Sequence, residues 1–159
     1  MIVYHTSYTA IEHPDISFSR DFLDFGKGFY VTPLREQAVK YAQRFLLRGK
    51  KAFLNEYLLD DNYAKCYKCK EFAVYDAEWL NFVGLCRKGN AVEMFDIVSG
   101  GIADDKVFTT IDLYFAGEIT EEEALQRLVY EKPNLQLCLL NQSLINNHLT
   151  FVQAQEIKL

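Results

Sequence analysis

The sequence contains little proline, histidine or tryptophan and no long apolar run. Its 159 residues include three prolines, three histidines and one tryptophan. The longest apolar runs, such as residues 135–140 apart from Gln136, are far too short to span a bilayer. The N-terminus lacks a basic region followed by an apolar stretch and a cleavage site. These absences predict a soluble, cytoplasmic protein with no membrane partner.

No excess of basic charge is present either. Lys and Arg number 17 against 22 Asp and Glu, so the net charge of −5 gives no global reason to expect nucleic-acid binding. Half of the residues are hydrophobic, which favours a packed core over disorder. Repeats, low-complexity tracts and linkers are absent, and the length suits one domain. We therefore expect residues 1–159 to form a single domain.

Cysteine is sparse, and its one close pair allows three interpretations. Cys66 and Cys69 form a CxxC, but a structural zinc site needs four ligands, so a metal would also require histidines. The neighbouring Lys65, Lys68 and Lys70 instead suggest lowered thiol pKa values and a redox pair. The preferred interpretation is two reduced thiols in a lysine-rich connection, and no metal site is predicted. Without an export signal, structural disulfides are not expected.

Strand and helix patterns mix without the regular alternation of parallel α/β proteins. The predicted strands are residues 1–7, 29–32, 52–59, 95–98, 135–140 and 149–157. Helices are predicted to begin at Thr32–Pro33, Asp76, Asp104 or Asp105, Thr120 and Asn141. Residues 60–70 are expected to be irregular. This order predicts an α+β fold.

Two segments carry residues that are suited to ligand binding or catalysis. His5 lies near the end of the first strand, and Gly26 and Gly28 precede the strand that carries Tyr30. The glycines form neither a dinucleotide fingerprint nor a P-loop. These residue types predict a cleft lined by His5, Tyr30 and backbone amides. The alternatives are a structural histidine and glycines that only permit a tight turn.

Considered together, these segments resemble the ADP-ribosyltransferase superfamily, especially its poly-ADP-ribose-polymerase branch. Residues 25–32, Phe-Gly-Lys-Gly-Phe-Tyr-Val-Thr, and a helix tyrosine, Tyr41, eleven positions after Tyr30 are similar to that branch. His5-Thr6-Ser7 resembles its histidine element. The whole chain resembles the bacterial DUF3990 family. The further segments that carry this resemblance are Ser19-Arg20, Asp96–Val98, Ala103–Asp105, residues 130–133 and Asn134–Gln136.

The resemblance implies a split antiparallel sheet core flanked by helices, with NAD as co-substrate in a central cleft. By similarity, His5 bonds the adenosine-side ribose and the backbone of Thr6 holds the nicotinamide carboxamide. Tyr30 and Tyr41 would sandwich the nicotinamide ring, a role that suits flat aromatic faces. Tyr41 also lies on the predicted apolar face of its helix, so burial in the core is the alternative.

The implied catalytic residues are His5, Tyr30 and Gln136. Gln136 stands where the family usually has a glutamate, and an amide bonds a hydroxyl without supplying charge, so polymer elongation is not expected. Asp104 and Asp105 are candidates for a helping carboxylate, although helix capping is preferred for them. The remaining candidate cofactor-binding residues are Arg20, whose guanidinium suits the pyrophosphate or a surface salt bridge, and Gly28, in the loop whose amides line the predicted cleft.

The predicted function is an NAD-dependent mono-ADP-ribosyltransferase acting on a protein or nucleic-acid acceptor. The family further implies the toxin of a toxin–antitoxin pair, with an antitoxin protein as partner. The alternatives are a catalytically silent NAD or ADP-ribose binding module and a structural domain that binds a partner. Four basic residues at i, i+4 spacing suggest a surface for a nucleic-acid backbone or an acidic antitoxin, although a solvated helix face is preferred. These residues are Lys40, Arg44, Arg48 and Lys51.

Overall fold

The structure, a computed structural model, describes residues 1–90, 94–129 and 134–158. Over these residues the chain forms one α+β domain with two sheets and five helices. The strands are β1 (Ile2–Ser7), β2 (Phe29–Val31), β3 (Ala52–Leu59), β4 (Cys69–Glu71), β5 (Ile97–Gly100), β6 (Gln136–Leu139) and β7 (Leu149–Ile157). The helices are α1 (Arg35–Leu46), α2 (Ala77–Lys88), α3 (Asp105–Phe115), α4 (Glu121–Leu128) and α5 (Gln142–His148). The α+β class predicted from the sequence is confirmed.

Among the described residues, one isolated backbone bridge links the two sheets. One sheet has the strand order β1-β3-β7 and the other the order β2-β6-β5-β4. Every pairing is antiparallel except that of β4 with β5. Two backbone hydrogen bonds between Tyr4 and Thr32 link β1 to the residue that follows β2. The strands thus form a sheet that is split between β1 and β2.

Two hydrophobic clusters lie on opposite faces of the β2–β6 pair. Successive side chains of a strand point to opposite faces. Phe29 and Val31 accordingly pack in the cluster that holds Leu137 and Leu139, whereas Tyr30 packs against the other cluster. Residues of the Tyr30 cluster come mainly from the helices, namely Trp79, Leu80, Val83, Val107, Ile111, Ala124 and Leu128. This alternation decides which candidate side chains can share a pocket.

Predicted helix starts are confirmed at four helices, and at α5 the Asn141 side chain accepts the Ser143 N–H at 2.8 Å. The Asp76 carboxylate accepts the Trp79 N–H at 2.8 Å and begins α2. Asp104 accepts the N–H of the third helical residue of α3 at 3.0 Å, and the Thr120 hydroxyl does the same at α4 at 3.1 Å. Each bond satisfies a backbone donor that the first helical turn leaves unpaired. Asp104 therefore has the structural role that the sequence favoured for it.

The start of the first helix was predicted wrongly. The N-cap position is Leu34, without a side-chain cap, and α1 begins at Arg35 rather than after Thr32. The Thr32 hydroxyl donates to the Leu135 carbonyl at 2.7 Å and accepts the Leu34 N–H at 3.1 Å. A long-range partner thus holds the residue expected to cap the helix.

Further differences concern element boundaries. The segment predicted to be irregular, residues 60–70, overlaps the short strand β4, which pairs with β5. Strand β5 begins two residues later than predicted. Arg48 and Lys51 lie beyond the last helical residue, Leu46, so the basic stripe extends past α1. Among the described residues, no helix has the length and apolar character needed to cross a membrane.

Candidate functional site

The two sheets separate at the next hydrogen-bonded pair position after the Tyr4–Thr32 link. Continuing that antiparallel register would pair Thr6 with Tyr30, but the strands diverge there. The His5 ring bridges the gap instead, since its Nδ1 lies 2.7 Å from the Tyr30 carbonyl oxygen. The predicted adjacency of the His5 and Tyr30 strands is therefore observed, with a side chain in place of a ladder bond.

His5 is held as a neutral imidazole with one acceptor nitrogen. Burial lowers its pKa from the usual value of 6.5, and the bond to Tyr30 offsets part of this effect. A carbonyl oxygen only accepts, so the proton of the neutral ring lies on Nδ1. Nε2 is consequently an acceptor, and it has no hydrogen-bond partner among the residues that the structure describes. This nitrogen can accept a hydrogen bond from a hydroxyl group of a ligand.

The backbone of Thr6 faces the gap between the sheets. N–H and C=O groups of alternate strand residues point to the same edge. Because those of Tyr4 point to Thr32, those of Thr6 point towards the β2 side and not towards β3. The Thr6 side chain is buried, and its hydroxyl donates to the Ala38 carbonyl of α1 at 2.6 Å. Thr6 therefore presents an adjacent donor and acceptor at the split, anchored by α1.

Tyr30 does not share a cleft with the His5 ring. The His5 ring lies 4.5 Å from the Phe29 ring, centroid to centroid, on the face of β2 opposite to the Tyr30 side chain. The Tyr30 hydroxyl donates to the Gly26 carbonyl at 2.6 Å and accepts the Phe25 N–H at 3.0 Å. Burial, with Cys138 adding to it, raises the Tyr30 pKa far above its usual value. The prediction that the two side chains line one cleft is wrong.

Gln136 lies on the Tyr30 face within a charged network. Its Nε2 donates to Oδ2 of Asp24 at 3.4 Å, so its Oε1 points away from that carboxylate. Asp24 also accepts a bond from the Ala103 N–H at 3.1 Å and pairs with both Nε and Nη2 of Arg87, at 2.8 Å from Nε. All three side chains of this network are at least mostly buried. Gln136 thus has an oriented amide beside a carboxylate that a guanidinium neutralises.

Gly28 has a packing role. A Cβ at this position would lie 2.6 Å from both the Cys138 sulfur and the Leu139 carbonyl oxygen. Its N–H donates to the Ser19 hydroxyl at 3.1 Å. The close approach of this loop to β6 therefore requires glycine, and this amide already has a partner. Arg20, next to Ser19, is exposed, and it has no ion pair with a described residue.

Tyr41 lies at the surface rather than in the core. Its side chain is 43% exposed, whereas Ala38 and Ala42 of the same helix are buried. The ring contacts Phe45 edge-on at 5.8 Å, and the Arg44 guanidinium lies 5.1 Å from its centroid. No ring contact joins Tyr41 to Tyr30, both of which are described. Burial of Tyr41 in the core, the alternative to a stacking role, does not occur.

Comparison with known proteins identifies a family. The sequence model described as "Protein of unknown function (DUF3990)" matches residues 1–151. The chain belongs to the DUF3990 family. No curated protein matches the sequence, and no solved structure matches it. Of the segments that suggested this family, residues 130–133 lie outside the described residues.

The CxxC of this DUF3990 protein shows no sign of a lowered thiol pKa at Cys69. Cys66 and Cys69 are exposed and unlinked. Partial burial and the nearby Asp96 raise the Cys69 pKa, contrary to the redox alternative. Within residues 1–90, 94–129 and 134–158, no group of three or more His, Cys, Asp or Glu side chains could hold a metal ion.

Two residues of the candidate site escaped the sequence analysis. Neither Asp24 nor Arg87 was assigned a role there. They are 63 positions apart, and neither belongs to a local motif. Only the aromatic Phe25, next to Asp24, hinted that this loop enters the core, where Phe25 is 2% exposed.

Proposed function

We propose that this DUF3990 protein binds NAD at the gap between β1 and β2 and acts as a mono-ADP-ribosyltransferase on a macromolecular acceptor. The observation that carries the proposal is the backbone pair of Thr6. A primary carboxamide donates from its nitrogen and accepts at its oxygen, which complements an N–H and a C=O side by side on one strand edge. Nicotinamide is an aromatic ring that carries this group. The ADP-ribosyltransferase resemblance assigns the same position to the carboxamide.

Two side chains on opposite faces of β2 offer acceptors for sugar hydroxyls. His5, on the Phe29 face, has its unpaired Nε2, and Gln136, on the Tyr30 face, has the Oε1 that Asp24 orients. NAD supplies the ADP-ribose and releases nicotinamide. Gln136 orients a hydroxyl without contributing a negative charge, so we expect slow transfer of a single unit rather than elongation. The stacking role of Tyr30 is not part of this proposal, because its ring packs against the core and its hydroxyl is already bonded to Phe25 and Gly26.

A second candidate function is a catalytically silent NAD or ADP-ribose binding module. The specific observation in its favour is the pairing of Asp24 with Arg87. Asp24 is the carboxylate in contact with Gln136, and its charge is already balanced by a guanidinium. A site of this kind can bind and orient a nucleotide while giving little help to bond cleavage.

Binding is tested by calorimetry with NAD, nicotinamide and nicotinic acid. Nicotinic acid has a carboxylate that cannot donate to the Thr6 carbonyl, so we expect its affinity to be lower by about tenfold or more. Thr6→Pro removes the N–H that faces the gap and should weaken nicotinamide binding. Thr6→Val loses the same hydroxyl but keeps the N–H, and is the matched control. Equal affinity for nicotinamide and nicotinic acid would contradict the assigned site.

Catalysis is tested by nicotinamide release and by transfer of labelled ADP-ribose in a cell lysate. The transferase predicts release by the wild type and a lower rate for Gln136→Ala at matched stability. NAD binding without any release would favour the silent module. Absence of NAD binding would remove both candidates and leave a structural, partner-binding domain.

A further inference from the structure

An exposed cluster of aromatic and basic residues surrounds the C-terminal half of α1. Six of the 17 Lys and Arg residues lie between positions 35 and 51, where Glu36 is the sole acidic residue. We refer to five of these residues together as the basic–aromatic patch: Tyr8, Tyr41, Arg44, Phe45 and Lys50. The local charge is thus opposite to the net charge of the chain.

The aromatic rings of the patch are contiguous and accessible. The Phe45 ring lies 6.5 Å from that of Tyr8 and 5.8 Å from that of Tyr41, centroid to centroid. Tyr8 is 63% exposed, Tyr41 is 43% exposed and Phe45 is half-buried between them. Three adjoining rings with two accessible outer members form a surface on which flat groups can stack.

Cations lie directly against these rings. The Lys50 ammonium is 5.8 Å from the Tyr8 ring centroid, and the Arg44 guanidinium is 5.1 Å from that of Tyr41. Neither cation forms an ion pair with a described residue. Three more exposed cations, also without an ion pair to a described residue, flank the patch, namely Lys40, Arg48 and Lys51. Unpaired positive charge at this density is available to a polyanion.

We propose that the basic–aromatic patch binds single-stranded nucleic acid. Proteins that bind single strands combine a basic surface for the phosphates with aromatic side chains on which successive bases stack. A duplex hides its base faces inside the stack, and an acidic peptide would use the cations but not the three rings. The proposal goes beyond the transferase function and does not depend on it, because it concerns binding without NAD.

The test is fluorescence anisotropy with labelled oligothymidylate and oligouridylate of about 16 nucleotides, in the absence of NAD. We expect both to bind, with log K falling against log salt by about 0.7 per phosphate contact. Tyr8→Ala should lower affinity about tenfold, whereas Tyr8→Phe keeps the ring and the affinity. The Arg44→Ala/Lys50→Ala double variant should reduce the salt slope by about 1.4.

The matched control is Lys88→Ala, since Lys88 is also an exposed cation over a ring, that of Phe115, but outside the patch. Lys88→Ala should leave binding unchanged. A preference of the wild type for the thymidylate would identify DNA as the ligand, and a preference for the uridylate would identify RNA. Binding of a polyglutamate peptide of equal length in preference to both oligonucleotides would overturn the proposal in favour of an acidic protein partner. Unchanged affinity in Tyr8→Ala, or an equal loss in Lys88→Ala, would overturn it as well.

Discussion

The two faces of strand β2 differ in how their polar groups are satisfied. On the Tyr30 face, the Tyr30 hydroxyl has two backbone partners and Asp24 is bonded to Arg87, Ala103 and Gln136. On the other face, the His5 ring uses one nitrogen to reach the Tyr30 carbonyl, and its second nitrogen has no described partner. The polar side chains of the first face are bonded within the protein except at Gln136 Oε1, whereas the second face has an unpaired ring nitrogen beside the open strand edge.

This difference separates structural residues from ligand-binding ones. A buried charge whose partners are all protein groups stabilises the fold only as a set, and loss of one member leaves the others unpaired. An unpaired acceptor beside an open strand edge is instead available to a ligand. We therefore expect substitutions on the Tyr30 face to affect stability first, and those at His5 and Thr6 to affect binding first.

The largest expected effect is that of Asp24→Ala. It leaves the guanidinium of Arg87, whose side chain is 16% exposed, without its carboxylate. Breaking a buried ion pair costs about 3–5 kcal/mol, so the free energy of unfolding in urea should fall by that amount. Asp104→Ala, which removes only a helix cap, is the control and should cost about 1 kcal/mol. Equal losses would show that the Asp24 network is not structural.

The next effect is that of Tyr30→Phe. The Phe25 N–H and the Gly26 carbonyl lose their common partner, and an unsatisfied buried group costs about 1–3 kcal/mol. Tyr41→Phe removes the hydroxyl of an exposed tyrosine and should leave the free energy of unfolding unchanged. If Tyr30→Phe were equally neutral, the hydroxyl would have no structural role, and the two faces would not differ as described.

An effect of similar size, but dependent on pH, is expected for Gln136→Glu. The new carboxyl would lie near Oδ2 of Asp24, now 3.4 Å from Gln136 Nε2, and like charge raises its pKa above the unfolded value of about 4.3. The folded state then binds the extra proton more tightly, so the difference in stability between variant and wild type is smallest at low pH, and the variant loses stability relative to the wild type as pH rises through the raised pKa. A shift of one to two pKa units corresponds to about 1–3 kcal/mol at pH 7. Gln43→Glu on the exposed side of α1 is the control, and identical pH profiles of unfolding would contradict the contact.

Features that depend on neighbours in sequence were predictable. The caps at Asp76, Asp104 and Thr120 follow from side chains that reach a backbone N–H three residues away, and the predicted bounds 52–59 and 149–157 match β3 and β7. Period-2 and period-3.6 patterns encode such elements directly. The sequence therefore specified most of the elements and the α+β class.

Features that depend on distant partners were not predictable. Thr32 failed to cap α1 because the Leu135 carbonyl, 103 positions away, takes its hydroxyl. The faces to which the His5 and Tyr30 side chains point depend on the Tyr4–Thr32 register. No sequence motif predicts this register, so the predicted common cleft was wrong. The partner of Gln136, Asp24, is 112 positions away. Candidate residues were found from motifs, but their mutual orientation required the fold.

Tyr41→Ala should have a small effect on stability. Helical periodicity made burial in the core the alternative to a stacking role for this residue, but its side chain is 43% exposed. Loss of an edge-on contact and of one cation–π contact amounts to about 0.5–1 kcal/mol. Tyr57→Ala is the comparison, since Tyr57 is fully buried and should cost about 3–5 kcal/mol. A comparable loss at Tyr41 would mean that its ring is part of the core.

The smallest effect at neutral pH concerns the protonation of His5, and it appears only in acid. Burial lowers the folded-state pKa below the unfolded value of 6.5, so above that pH both states are largely neutral at this residue. As pH falls below about 6.5, the unfolded chain gains a proton that the folded chain does not. The free energy of unfolding therefore decreases until the pH reaches the lowered pKa, by about 1.36 kcal/mol per unit of pKa difference.

Urea unfolding of wild type and His5→Gln between about pH 8 and pH 5 measures the decrease, with His13→Gln at an exposed histidine as control. A decrease that persists in His5→Gln would assign the titration to another group, and the neutral, acceptor-bearing His5 on which the proposed NAD site depends would lose its support.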